Sequence, residues 1–219
     1  MGGTGFYIQA LLYDIDFTEN DGDISLRQEL EKTAEEKGPE YLHQLLQEVD
    51  PQAARDLHPN NIKRVIRALE FYRQTGQTIS EHNRKERAKE SPYRYAYFVL
   101  TDDRARLYDR IYRRVDAMLA AGLLEEVRSL RDRGVKRTCT SMQGLGYKEI
   151  LDYLEGRCSL DEAVYILKRD TRHFAKRQLT WFKRERDVRF LNLPDFGGDV
   201  SNVLKRILED CAKQGIVLQ

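Results

Sequence analysis

Cysteine is scarce and scattered in this sequence. Cys139, Cys158 and Cys211 are the only three, an odd number, with no C-x-x-C pair and no Cys/His cluster at zinc spacing. That pattern excludes a disulfide framework and a structural zinc site and predicts a reduced, cytosolic compartment. Long apolar runs are missing too. No stretch reaches membrane length and no signal peptide is visible, so the sequence reads as soluble. The net charge is only +1, which removes any chain-wide basic signature of a nucleic-acid binder. No low-complexity tract, no internal repeat and no G-x-x-x-x-G-K-[ST] phosphate loop occurs.

What is present is unevenly distributed. With 219 residues, 41% of them hydrophobic, the chain can build one sizeable core or two small domains. Residues 14–50 carry twelve Asp and Glu against only Arg27, Lys32 and Lys37, whereas the C-terminal half holds basic strips. Such asymmetry predicts one surface that meets an anion and another that avoids it.

The most informative stretch is Ala163–Arg184, AVYILKRDTRHFAKRQLTWFKR. At 100° per residue, Val164, Leu167, Thr171, Phe174, Trp181 and Phe182 fall on one side of a helix, predicting a face packed on a core. Arg169, Arg172, Lys176 and Lys183 form a strip opposite, flanked by Arg177 and Arg184. Stacked cations repel one another. The strip is either a solvated basic face or a surface for polyphosphate such as a nucleic-acid backbone.

Taken in order, the chain opens on a glycine-rich loop, Met1–Gly5, and an apolar helix over 6–13. Such a loop is either a flexible terminus or an anion site made of backbone amides. An acidic linker follows, with Ser25 predicted to cap a helix ending at Lys37. A second helix is predicted near Glu40–Val49, and turns at Pro51 and Pro59. Asn61 caps a helix over Ile62–Thr75 that stops at Gly76. Its core face is Ile62, Val65, Leu69 and Tyr72, and Lys63, Arg64 and Arg67 share another. Residues 80–92 are charged and end at a boundary, Ser91-Pro92. Tyr93–Leu100 reads as a strand.

Asp102 or Asp103 then caps a helix to about Ala121, with a core stripe of Leu107, Ile111, Val115 and Met118. Arg114 falls almost on that stripe, so it is either ion-paired or clamps an anionic ligand in a cleft. A helix from Gly122 to Gly134 precedes the two glycines of SMQGLGYKE (141–149). Ser159 and Glu162 form a capping box, Val188–Leu193 is a second strand, and Val200–Lys213 is a last amphipathic helix. A count of two strands and about eight or nine helices, with helices between the strands, implies a parallel α/β sheet of which these are only a part.

Four segments together, GGTGFYI (2–8), LHPNNIKRVIRALE (57–70), SMQGLGYKE (141–149) and AKRQLTWFKR (175–184), resemble the tRNA dimethylallyltransferase family, also called tRNA isopentenyltransferases. The resemblance runs over essentially the whole chain. It implies transfer of a dimethylallyl group from dimethylallyl diphosphate to N6 of adenosine 37, beside the anticodon. The implied fold is an incomplete P-loop-type α/β core with a mainly helical inserted domain. Its implied divisions are a core fragment (1–16), a helical insertion that contacts tRNA (17–91) and the remaining core with the basic helix (92–219).

By resemblance, Thr4 sits beside the reacting adenine and diphosphate, and Arg114 contacts the diphosphate. Contacts to the tRNA anticodon stem-loop are implied for Arg27, Lys63, Arg64 and Arg67. They are implied also for Gln143, Gly144, Leu145, Gly146, Tyr147 and Lys148, and for Lys176 and Arg177 in the C-terminal signature. The resemblance further implies Mg²⁺, cytoplasmic location, no membrane and no obligate protein partner. The family's phosphate loop, metal ligands and proton-accepting aspartate are expected upstream of Met1, which makes the activity of these residues alone doubtful. Two rivals remain: a non-catalytic RNA-binding remnant, and another P-loop protein such as a nucleotide kinase.

Overall fold

A computed structural model of the chain describes residues 5–15 and 24–216. The described residues form two compact units, one made of 6–93 and the other of Gly5 with 94–216. The divisions fall at 5/6 and 93/94, against 16 and 91 in the sequence reading.

The first unit is helical: α1 (Phe6–Tyr13), α2 (Ile24–Lys37), α3 (Pro39–Val49), α4 (Pro51–Asp56), α5 (Ile62–Thr75) and α6 (Ile79–Ala88). Its core is the shared apolar faces of α2, α3 and α5, where Leu30, Leu42, Leu46 and Val65 are almost wholly removed from water. Burial of each such side chain contributes about 1.5–3 kcal/mol. Asn61 and Gly76 bracket α5 as expected, Gly76 with φ 69°, a value that costs glycine nothing. The Ser25 cap is not observed, because α2 already begins at Ile24.

Two helices were not legible as such. Pro51 opens α4 instead of a turn, since proline at the first helical position loses no needed donor and Asp50 caps the amide of Ala53. The charged run after Gly76 folds as α6, capped by Thr78, although it buries no side chain completely. Asp50, itself 2% exposed, ties the two together: it also accepts hydrogen bonds from the Ser80 amide at 3.0 Å and hydroxyl at 2.6 Å.

In the other unit, β1 (Tyr97–Thr101) and β2 (Val188–Asn192) pair in parallel, Tyr97 opposite Val188 and Thr101 opposite Asn192. β1 begins four residues later than the aromatic pattern predicts. Between them run α7 (Arg104–Ala120), α8 (Leu123–Asp132), α9 (Tyr147–Leu154) and α10 (Leu160–Phe182), and α11 (Val200–Lys213) follows. The core here is Val115, Val127, Met142, Ile150 and Leu167. Gly5 is buried against the end of α10, where a β-carbon would lie 2.5 Å from the Trp181 ring. No helix of the described residues is long and apolar enough to cross a membrane.

Asp50→Ala should lower the unfolding free energy by about 2–4 kcal/mol, a lost cap plus orphaned Ser80 donors. Ser80→Ala should cost about 1 kcal/mol. Denaturant melts of the two variants check both values, and equal costs would show that the tie to α6, not the cap, carries the stability.

Candidate nucleic-acid interface

α10 is held at its start by the Ser159/Glu162 box and buries Ala163 and Leu167. Its cations do not form one solvated strip. Arg169 is half-buried on Asp170, at 2.9 Å. The Arg172 guanidinium lies 5.4 Å and 5.5 Å from the centroids of Tyr108 and Tyr112 of α7 and donates to the Tyr112 hydroxyl. Lys168 completes this flank with a 2.6 Å contact to Asp116. The expected four-cation register is therefore split, since desolvated cations need partners. Lys176, Arg177, Lys183 and Arg184 stay exposed, Arg177 over the Phe174 ring.

Arg114 is exposed rather than set into the apolar stripe of α7. It sits at the stripe's margin, where a long stem carries its charged head to water. The other four arginines of α7 are engaged: Arg104 on the Tyr108 hydroxyl, Arg106 and Arg110 on Asp102, and Arg113 on Asp109. Arg114 has no side-chain partner among the described residues. One helical turn on, Met118 faces Gly146, whose absent β-carbon would lie 3.5 Å from the Met118 methyl. Side chains a turn apart are neighbours at about 5–6 Å.

The segment leading into α9 is a 3₁₀ turn, Thr140–Gln143, followed by Gly144-Leu145-Gly146 and α9. Gly146 has φ 99°, which excludes a β-carbon without strain. Its amide donates to Glu149 at 2.8 Å. Gln143 is exposed and its amide donates to the Arg137 carbonyl, while Leu145 packs on the core. Tyr147 donates to Glu126; this bond, then burial, raises the pKa of its hydroxyl. Lys148 is not a free cation: it contacts buried Glu149 at 3.3 Å and Asp170 at 3.4 Å. Burial alone would push the Asp170 carboxyl up, but Arg169 and then Lys148 outweigh it and hold it below its ordinary range.

In the unit of residues 6–93, Lys63, Arg64 and Arg67 are exposed on α5, as the periodicity predicts. Arg27 differs. Its guanidinium grips Glu70 in a fork, at 2.9 Å and 2.8 Å, and that hydrogen-bonded carboxylate raises its pKa further. Thr4 lies outside the described residues. Among the described residues no three His, Cys, Asp or Glu side chains converge as a metal site. Sequence periodicity missed the Arg172 aromatic bracket and the Lys148–Asp170 pair because both join different helices.

The family model for IPP transferase matches residues 1–185. A tRNA dimethylallyltransferase of Lachnoclostridium phytofermentans is 61% identical over 92% of this chain, which spans 64% of that protein. Among solved structures, the full-length tRNA isopentenylpyrophosphate transferase of Bacillus halodurans is 40% identical, with TM-score 0.62. The match covers 96% of this chain and 64% of that one. A eukaryotic dimethylallyltransferase acting on tRNA is 25% identical with TM-score 0.75, over 100% of this chain and 57% of that one.

A carboxylate held below its ordinary pKa adds stability that is present above the unfolded value and lost as pH falls through the folded one. Asp170→Asn should therefore lower the melting temperature at pH 7, and the gap from wild type should close below about pH 4. Melts across pH check this; a gap that persists in acid would mean packing, not charge, holds Asp170.

Proposed function

The chain belongs to the IPP transferase family, and on that premise we propose that it serves tRNA modification, attaching a dimethylallyl group to N6 of adenosine 37 in the anticodon loop. The observation that carries this reading is the sorting of its cations. Many are engaged by other side chains, while Arg114, Lys63, Arg64 and Arg67 are among those left exposed and unpaired among the described residues.

The chemistry asks for positioning and charge stabilisation. The N6 lone pair is delocalised into the ring, so it must be brought close to the allylic carbon of dimethylallyl diphosphate. As the N6–C bond forms, the C–O bond breaks, the diphosphate leaves with the electron pair and N6 gives a proton to a base. Arg114, free and flexible, stabilises the departing diphosphate by a charge-assisted contact, and Thr4 orients the reacting groups. The reacting adenine is flipped out of the loop. The 143–148 segment offers it exposed Gln143 and Gly144, while the ion pairs of Lys148 hold that segment still.

Lys63, Arg64, Arg67, Lys176 and Arg177 meet backbone phosphates, which set register without reading sequence. Arg27, oriented by Glu70, offers its remaining N–H groups to the same ligand. Mg²⁺ belongs to the family expectation, but no step here passes through it. A tRNA substrate and three free cysteines support a cytoplasmic setting.

Arg114→Ala should cut prenyl transfer to an anticodon stem-loop by about 2–4 kcal/mol, roughly 30- to 1,000-fold, with an unchanged melt. A normal rate would remove Arg114 from the reaction. Converting Lys63, Arg64 and Arg67 to alanine should lower the slope of log affinity against log salt by about 3. RNA affinity without any prenyl transfer by the wild type would instead mark a binding remnant.

A further inference from the structure

Residues 133–146 join α8 to α9, and Arg137 within them is fastened by both its side chain and its main chain. The guanidinium donates to Asp152 at 2.7 Å and to Glu155 at 2.8 Å, at the C-terminal end of α9. Arg157 reaches the same two carboxylates, at 3.2 Å and 2.9 Å, so two arginines and two acids form a charge-balanced cluster. A lone surface pair holds little, but a network of this kind fixes its members, and the Arg137 side chain is only 33% exposed. The main-chain carbonyl of Arg137 meanwhile accepts a hydrogen bond from the Gln143 side-chain amide, on the turn that precedes α9. The same turn is rooted in the core by Met142, which is wholly buried.

This bond decides what Gln143 can offer. A carbonyl accepts and never donates, so it holds the Nε2 end of the carboxamide. Oε1 and the second N–H are left without a protein partner among the described residues, on an exposed side chain. An acceptor is what lysine and arginine cannot supply, since they only donate. It has no use for a phosphate, which is itself an acceptor and negatively charged. Its partners on RNA are a base amino group or a ribose 2′-hydroxyl.

Resting on the tRNA reading above, we propose that Arg137 is a positioning residue for nucleotide recognition. Clamped on Asp152 and Glu155, it orients the Gln143 amide so that Oε1 accepts from a base amino group or a 2′-hydroxyl of the anticodon loop. A glutamine held in this way loses less rotamer freedom when that bond forms. Arg137 contributes to binding through Gln143 without touching the RNA.

Binding of the chain to a synthetic anticodon stem-loop RNA tests this, with the same RNA carrying 2′-deoxy loop nucleotides as the second probe. Q143A should bind about 3- to 10-fold more weakly, and R137A about 2- to 5-fold. Both should keep the wild-type slope of log affinity against log salt, because neither removes a phosphate contact. In a Q143A background R137A should cost nothing further, since its effect passes through that side chain. D152N/E155Q, which releases Arg137 without deleting it, should reproduce the R137A loss and keeps the test decisive if R137A folds poorly. A Q143A loss that persists on the deoxy loop assigns a base amino group as the donor, and one that disappears there assigns the 2′-hydroxyl. An R137A loss of equal size in both backgrounds overturns the positioning role, as does full R137A affinity beside an impaired Q143A. Wild-type affinity in Q143A overturns it too, and leaves the functional reading standing. A wild type that binds no stem-loop RNA removes the functional reading itself, and this inference with it.

Discussion

In the unit of residues 94–216, everything near the candidate site depends on how one 23-residue helix, α10, disposes of its charges. A helix this basic cannot pack along its length unless its cations are either paired or led to water. Both solutions occur. Its N-terminal half packs against α7 and α9, and there Lys168, Arg169 and Arg172 are each matched to an acid or a tyrosine. Toward the C-terminus Lys176 and Arg177 stay exposed. Asp170 is the hinge of the arrangement, because it holds Arg169 on its own helix and Lys148 on α9 at once. The loop before α9 is thereby fastened to α10 through Lys148, and to its own helix through the bond from the Gly146 amide to Glu149.

The unit of residues 6–93 follows the same logic with a thinner core. Glu70 is 6% exposed, and a carboxylate so placed needs a partner; leaving it alone costs several kcal/mol. Arg27 supplies a two-pronged contact, which ties α2 to α5 across a wide gap in sequence. The arginine itself remains largely in solvent, its side chain 56% exposed. The pair therefore serves the fold without using up the whole guanidinium. Surface pairs such as Lys32–Glu36 contribute little to stability, but they neutralise cations locally. Lys63, Arg64 and Arg67 of α5 and Arg84 and Arg87 of α6 have no side-chain partner among the described residues.

Family membership accounts for the overall plan, yet the pairing pattern distinguishes cations that build the fold from cations left for a ligand. Arg27, Lys148 and Arg114 all read as anion contacts by resemblance. They differ in energy once folded: a paired cation must give up or share its partner to bind a new anion, whereas an unpaired exposed one gives up only water. Arg114, Lys63, Arg64 and Arg67 are of the second kind among the described residues, and Lys148 is of the first.

The sequence by itself determined the elements whose signals are local. The bounds of α5 and α11, the capping box of α10, the glycine at the start of α9 and the exposed face of Lys63, Arg64 and Arg67 all follow from periodicity and capping. So does the parallel relation of two strands separated by helices. Helices α4 and α6 escaped because a proline and a dense charge run read as breakers, and only the Asp50–Ser80 tie and packing on neighbouring helices overrode that preference. Which arginines are free was decided by tertiary structure alone. A sequence gives spacing along one helix, and places Arg114 on a stripe that its flexible stem in fact lets it leave. Whether a carboxylate or a tyrosine waits opposite a cation depends on another element, brought near only when the chain folds.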